Sequence, residues 1–261
     1  MKVERVIRRT ADRFPSLATA AFVYRRLLKS ERAFARAGRE ERGIRELVRV
    51  SSDGRLLELT PGELVDVRIS MQPMVASQRL DEIVPALERI ERLRPQRVCE
   101  IGTAAGGTLY LLTRVSAPDA LVVSIDLGIA PHTRALRERL ARPGQRVVSL
   151  AGDSHTEETA VRLERLLDGQ SLDVLFIDGD HSYEGVRADF ERYGRLVRTG
   201  GIIALHDINE DFRTKHGIET PSISGDVPRL WRELKDRHRT EELIADPEQD
   251  GFGIGLVYVE A

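Results

Sequence analysis

Cysteine is nearly absent from this sequence. Cys99 is the only one in 261 residues, so no intramolecular disulfide can form and nothing marks a secreted, disulfide-stapled chain. Long apolar runs are missing too, and the N-terminus lacks the continuous apolar core of a signal peptide. The expectation is a cytoplasmic protein with no membrane segment. Lysine is scarce, with four among the 40 basic residues, and aromatic residues make up 5%. The net charge of −2 hides a split: residues 1–50 hold 14 Lys/Arg and 6 Asp/Glu, which leaves the rest acidic. A basic arm suits nucleic acid or an anionic surface, but it reads equally as a solvated helical extension of an arginine-rich chain.

What is present is an alternation of strands and helices. "SLATAAFVYRRLL" and "ERAFARAGREERGIRELVRV" have helical spacing, and "SSDGRLLELTPGE" supplies turn residues, which places a domain boundary near residue 60. The extension is therefore 1–60 and the main domain 61–261. After the helix "LDEIVPALERIERL", the runs "RVCEIG", "LVVSIDL", "RVVSLAG", "DVLFIDG" and "GIIALHD" read as buried parallel strands. The segments between them, "GGTLYLLTRV", "PHTRALRERLA", "TEETAVRLERLL" and "YEGVRADFERYGRLV", read as helices, with Arg198 to Gly201 ("RTGG") as a helix stop. The tail adds "VPRLWRELKDRH" and two strands, "EELIAD" and "GIGLVYVE", close enough to pair antiparallel. The fold class is α/β, a doubly wound and mainly parallel seven-stranded sheet whose last strand is antiparallel.

The loop Gly102-Thr103-Ala104-Ala105-Gly106-Gly107 follows the first strand and opens a helix, as many nucleotide sites do, yet it lacks the second glycine of G-x-G-x-x-G. Glu100 ends the strand beside it. A carboxylate there repels a pyrophosphate and suits a ligand carrying an ammonium and a sulfonium. Asp126 ends the second strand, placed to accept hydrogen bonds from ribose hydroxyls, and Gly152-Asp153-Ser154 follows the third, where a base edge could be read. The alternative for both strand-end acids is a carboxylate that simply faces water.

On "EIGTAAGGT", "SIDL", "AGDS" and "FIDGDHSYEGV" the sequence, over roughly residues 70–260, resembles the class I S-adenosylmethionine-dependent methyltransferases. The resemblance implies a Rossmann-like methyltransferase fold and a cofactor site at Glu100, Gly102, Thr103, Gly106, Thr108, Asp126, Gly152, Asp153, Ser154 and Asp178. "FIDGDHSYEG" and "GGIIALHDIN" look more narrowly like the metal-dependent O-methyltransferases, closest to the cephalosporin-hydroxylase-like and macrolide-sugar O-methyltransferase group. By that resemblance Asp178, His206 and Asp207 are candidate ligands of a divalent cation, Mg²⁺ first. His206 departs from the acid-acid or acid-amide pair usual there, so it ligates, or orients Asp207, or no metal binds. His181 falls where the catechol-type enzymes carry a general-base lysine. Its local alternatives are capping the helix near Tyr183 or pairing with Asp180. His155 could touch the adenine; His132, His216 and His238 have no comparable setting.

The implied chemistry is in-line displacement. An acceptor hydroxyl, oriented and acidified beside the cation, would lose its proton to His181 and attack the sulfonium methyl opposite the leaving sulfur, with Asp178 in the catalytic cluster. The acceptor is a small molecule. Few aromatics fall near the site, which disfavours a flat catechol sandwich and favours a sugar or glycosylated natural product. Asn209 to Leu230 is a long polar insertion, a candidate lid or a loop with no substrate role; Trp231 reads as packing. A nucleic-acid methyltransferase would use the basic arm, but the main domain is acidic and has no Asn/Asp-Pro-Pro-Tyr motif. The other rivals are a cofactor-binding scaffold subunit, with the N-terminal helices as a homo-oligomer contact, and a dinucleotide dehydrogenase.

Overall fold

The structure, a computed structural model, describes residues 78–104, 106–128, 137, 138, 140–220 and 222–260. The elements in chain order are α1 (Leu80–Arg92), β1 (Arg97–Ile101), α2 (Gly107–Val115), β2 (Leu121–Asp126), β3 (Arg146–Ala151), α3 (Glu157–Leu167), β4 (Leu172–Ile177), α4 (Tyr183–Gly194), β5 (Val197–His206), α5 (Phe212–His216), α6 (Val227–Lys235), β6 (Arg239–Leu243) and β7 (Ile254–Tyr258). They form one seven-stranded sheet in the order β3-β2-β1-β4-β5-β7-β6. The first five are parallel, and β7 runs antiparallel between β5 and β6.

The apolar runs form strands because both their faces are covered. Val98, Val122, Val174 and Ile202 point to a core shared with α1 and α2 through Ile83, Leu87, Leu109 and Leu112. Their neighbours Cys99, Val123, Leu175 and Ile203 point to the opposite core, with Leu163 of α3, Val186 of α4 and Trp231 of α6. The period of two along a strand assigns consecutive residues to opposite layers, so a helix-covered sheet needs an unbroken apolar run. Trp231, expected as packing, is buried and lies flat enough on β7 that any Cβ at Gly255 would come within 2.5 Å of its ring. The outer strand β6 carries charge: Glu241 accepts from Arg89 of α1 at 2.8 Å, and the alternation of exposed polar residues suits a sheet edge.

The chain winds from β1 to β2 and β3 on one side and returns through β4 and β5 on the other. The order therefore reverses between β1 and β4, and at such a point the loops beyond the strand C-termini part to leave a crevice.

Arg198–Gly201 corrects one expectation. Helix α4 ends at Gly194, and these residues already belong to β5. The β4–β5 register jumps from Leu172↔Val197 to Val174↔Ile202, so β5 bulges there. Gly200 has φ +78, and a Cβ on Gly201 would sit 2.7 Å from the Asp173 carbonyl. The glycine pair serves a strand bulge with a close backbone approach. The expected helical extension 1–60, its boundary and most of "PHTRALRERLA" lie outside the described residues. Among those described, no helix is long and apolar enough to cross a membrane.

Candidate functional site

The glycine loop is squeezed between the ends of β2 and β4. The Gly102 amide donates to the Ile125 carbonyl at 2.9 Å, and the Asp178 amide donates to Ile101 at 2.9 Å. Gly102 has φ +84, and a Cβ there would lie 1.9 Å from the Asp178 carbonyl oxygen, so no other residue fits. Gly106, at φ +90, is the N-cap of α2 and supplies no side-chain cap. Asp126 holds the loop from the next strand. Its Oδ2 accepts from the Ala104 amide at 2.8 Å and its Oδ1 from Gly128 at 3.1 Å. Arg137 donates to the Ala104 carbonyl, with its guanidinium 3.8 Å from Asp126.

Beyond these loops opens a cavity of about 530 Å³. Six expected cofactor residues line it: Gly102, Asp126, Gly152, Asp153, Ser154 and Asp178. The β3–α3 loop is built rigidly. Tyr193 donates its hydroxyl to the Ser154 carbonyl at 2.7 Å, the Asp153 carboxylate accepts from the His155 amide at 2.9 Å, and Thr156 caps α3. His155 stands in the cavity wall, as do Leu127 and Asp180. Leu127 is 77% exposed, an apolar residue held open at the rim. Sequence reasoning passed over it because a single leucine after a strand carries no signal.

Four expected cofactor residues do not line the cavity. Thr103 and Thr108 are buried, and Gly106 caps α2. Glu100 lies 1% exposed inside the sheet layer, and its Oε2 has no hydrogen-bond partner. Burial pushes its pKa up to about 8, with the nearby Asp178 charge adding to the rise and Arg137 opposing it. Without a cationic partner it is mostly neutral at pH 7, so it does not stand as a charged guard at the loop's mouth. A buried carboxyl was invisible in the sequence because a strand-end acid normally faces water.

A second group sits where β4 and β5 end. His206 is buried 3% exposed at the end of β5, and its Nδ1 lies 3.2 Å from both Asp178 Oδ1 and Asp207 Oδ2. Burial opposes a charge on this ring, yet the two carboxylates overcome it and lift its pKa to about 10. The His206 Nδ1 thus faces both carboxylates at once. The third donor converging with Asp178 and Asp207 is instead His181; the ligand atoms of these three lie within 4.8 Å of one another. His206, expected to ligate or to orient Asp207, contacts Asp178 and Asp207 through the same ring nitrogen.

His181 itself neither caps α4 nor pairs with Asp180. Ser182 is the cap, accepting from the Gly185 amide at 3.2 Å, while Asp180 accepts from the Ser182 amide at 2.8 Å. The His181 Nδ1 lies 2.7 Å from the Ile223 carbonyl, an acceptor only, so Nδ1 carries the proton and Nε2 faces Asp178 and Asp207 at 3.6 and 3.7 Å. Its pKa is raised by the Asp178 bond against the effect of burial, with Asp207 adding to the rise. Asp207 holds φ +58, in the left-handed region that residues with a Cβ seldom adopt.

The expected lid, Asn209 to Leu230, contains α5 and the start of α6 and rests on this cluster. Asp211 ties it to itself, accepting from Thr214 and Ser224 amides at 2.8 and 2.9 Å. Asp226 donates its amide to the His181 carbonyl at 2.8 Å. From the β6–β7 loop, the Phe252 amide donates to Asp207 Oδ1 at 3.1 Å. One further contact had no sequence signal: Gln78, ahead of α1, donates Nε2–H to Asp178 Oδ2 at 3.2 Å.

With this geometry in place, comparisons identify the region. Residues 99–208 match the model of a family described as a methyltransferase domain. A protein of Acanthamoeba polyphaga mimivirus, itself called uncharacterized, is 34% identical over 117 residues, which is 44% of this chain and 52% of that one; the match thus spans about half of that relative. Among solved structures, the O-methyltransferase TomG from Streptomyces achromogenes, involved in tomaymycin synthesis and solved with S-adenosylmethionine, superposes with a TM-score of 0.50 at 17% identity. That superposition covers 78% of this chain and 92% of TomG. An O-methyltransferase from Bacillus cereus in complex with S-adenosylhomocysteine gives 0.49 at 17% identity, over 82% and 90% of the two chains.

Proposed function

We propose that this chain, whose residues 99–208 match a methyltransferase-domain family, transfers a methyl group from S-adenosylmethionine to a hydroxyl of a small molecule, a sugar or glycosylated natural product, beside a divalent cation. The observation that carries the cofactor is the cavity at the reversal of strand order, walled by Gly102, Asp126, Asp153 and Asp178. A pyrophosphate would meet three carboxylates there, whereas a cation with a ribose and a base meets acceptors suited to it. Asp126 keeps lone pairs for ribose hydroxyls after its two backbone bonds. The fold shared with TomG, solved with S-adenosylmethionine, supports the same cofactor.

The cation reading rests on the donor set. Two carboxylates and one imidazole suit a hard divalent ion that keeps some of its water, such as Mg²⁺. When bound, the ion supplies Lewis acidity toward the acceptor hydroxyl. The protein's own part follows from the hydrogen bonds. The His206 Nδ1 lies 3.2 Å from a carboxylate oxygen of each acid and so ties Asp178 and Asp207 to one ring. The Ile223 carbonyl fixes the His181 tautomer, so Nε2 is the ring atom left with a lone pair, and it faces the two carboxylates that would hold the ion with it.

Calorimetric titration of S-adenosylhomocysteine, with Mg²⁺ and with EDTA, tests the proposal. Wild-type protein should bind under both conditions, and Asp126→Ala should lose roughly 10- to 100-fold in affinity, the worth of one or two hydrogen bonds to a charged group. A folded wild-type protein that binds no S-adenosylhomocysteine overturns it.

A further inference from the structure

Gln78 lies outside the matched domain, 100 residues from Asp178 in sequence, yet its side chain is at hydrogen-bond distance from that carboxylate. It is 7% exposed and precedes α1, the helix whose Ile83, Leu87 and Ile90 are fixed in the core. The amide orientation follows from charge, because a flipped amide would set its carbonyl oxygen against a carboxylate oxygen. With Nε2 committed to Asp178 Oδ2, Oε1 remains, and it is buried with no partner. A buried carbonyl oxygen without a donor is costly unless something electropositive visits it.

The same helix anchors the far side of the cluster. Glu82, fully buried, accepts from Gln249 Nε2 at 2.6 Å, the Gly253 amide at 2.9 Å and the Ala245 amide at 3.2 Å. It thereby fixes the β6–β7 loop, whose Phe252 amide holds Asp207. The residue two places ahead of α1 thus reaches Asp178 directly, and the first turn of α1 reaches Asp207 through a loop.

We propose that Gln78 belongs to the cation site formed by Asp178, His181 and Asp207. Its Nε2–H orients Asp178 so that Oδ1 is presented to the ion, and its Oε1 supplies a neutral oxygen for the ion or a water on it. Gln78 is a positioning residue, and α1 is part of the site rather than a spacer before the domain. The assignment rests on the cation reading above.

The test is Mn²⁺ titration of the full chain by calorimetry, without cofactor or acceptor, for wild type, Gln78→Leu and Gln78→Glu at pH 8. Thermal midpoints and S-adenosylhomocysteine affinity in EDTA are measured beside it. Orienting partners of metal ligands typically contribute 10- to 100-fold in affinity. Gln78→Leu should therefore weaken Mn²⁺ by ~10- to 100-fold and leave cofactor affinity in EDTA within about twofold. Gln78→Glu, which restores a hard oxygen, should bind Mn²⁺ at least as tightly as wild type. If Leu and Glu weaken Mn²⁺ equally, or neither does, Gln78 only seats the helix and the assignment fails while the cation reading stands. If wild type binds no Mn²⁺, the cation reading falls and takes the assignment with it.

Discussion

At the scale of single residues, Asp207 carries the most constraint. Its backbone is left-handed at φ +58, its Oδ1 accepts from the Phe252 amide, and its Oδ2 lies 3.2 Å from the His206 ring. Two neighbours thus hold a non-glycine residue in a sparsely populated conformation, a kind of strain that clusters at functional sites. Asparagine tolerates this conformation and retains the Oδ1 acceptor, so Asp207→Asn should shift the thermal midpoint by only about 2–4 °C, the effect of roughly 1 kcal/mol. It removes one of the two ligand charges and should weaken Mn²⁺ by at least ~10-fold; unchanged Mn²⁺ affinity would take Asp207 out of the donor set. The acids that were legible in the sequence, Asp126, Asp153 and Asp178, end or follow apolar runs, and strand ends define where ligands sit. Gln78 was not legible, because nothing local distinguishes a glutamine before a helix from one in solvent.

At the scale of elements, the segment from α5 to α6 decides the state of His181. Gly225 has φ +56, and a Cβ there would lie 2.4 Å from the His181 carbonyl oxygen, so this backbone rests directly on the residue. Gly225→Ala must push the segment away and weaken the bond from His181 to Ile223. That bond helps hold the His181 pKa above 6.5. Imidazole NMR titration should therefore show the midpoint moving down in the variant, with cofactor affinity unaltered. An unmoved midpoint would mean that residues 222–226 adjust without disturbing His181. The sequence marked Asn209 to Leu230 as an insertion from its polarity, but its seat on His181 comes from contacts some 40 residues apart. The "RTGG" stretch teaches the same point in reverse. A Gly-Gly pair punctuates a helix end and a strand bulge equally well, and only the β4–β5 pairing chose the bulge.

At the scale of the whole molecule, buried titratable groups set how stability varies with pH. Glu100 and Asp189 are both pushed up by burial, to about 8 and about 6, and His206 is lifted to about 10. Each folded value exceeds the unfolded one, so the native state binds the proton more tightly. Their stabilisation is complete below the unfolded pKa and is lost as pH rises through the folded one. In EDTA the thermal midpoint should therefore fall as pH rises, most steeply between about pH 6.5 and 8, where the Glu100 and His206 windows overlap, and through His206 alone up to about pH 10. Glu100→Gln should flatten the part up to about 8, and His206→Gln the part above it. A midpoint that rises over this range would show that these groups are not shifted as their burial and partners require.

The sequence by itself determined the layers and the crevice. Apolar runs of five or six residues separated by amphipathic helices allow little but a doubly wound sheet, and the right-handed crossover then places every strand C-terminus, with its glycines and acids, on one edge. Which of those acids face a ligand was decided only by tertiary structure. Glu100 and Asp126 occupy similar strand ends, yet one is sealed inside the sheet layer and the other walls the cavity. His181 and His206 likewise differ in what surrounds them, the first held by the Ile223 carbonyl and the second by two carboxylates, and a ring's part depends on which partners reach it. Those partners come from β4, β5, the insertion and the turn before α1, brought together by packing that no local pattern encodes.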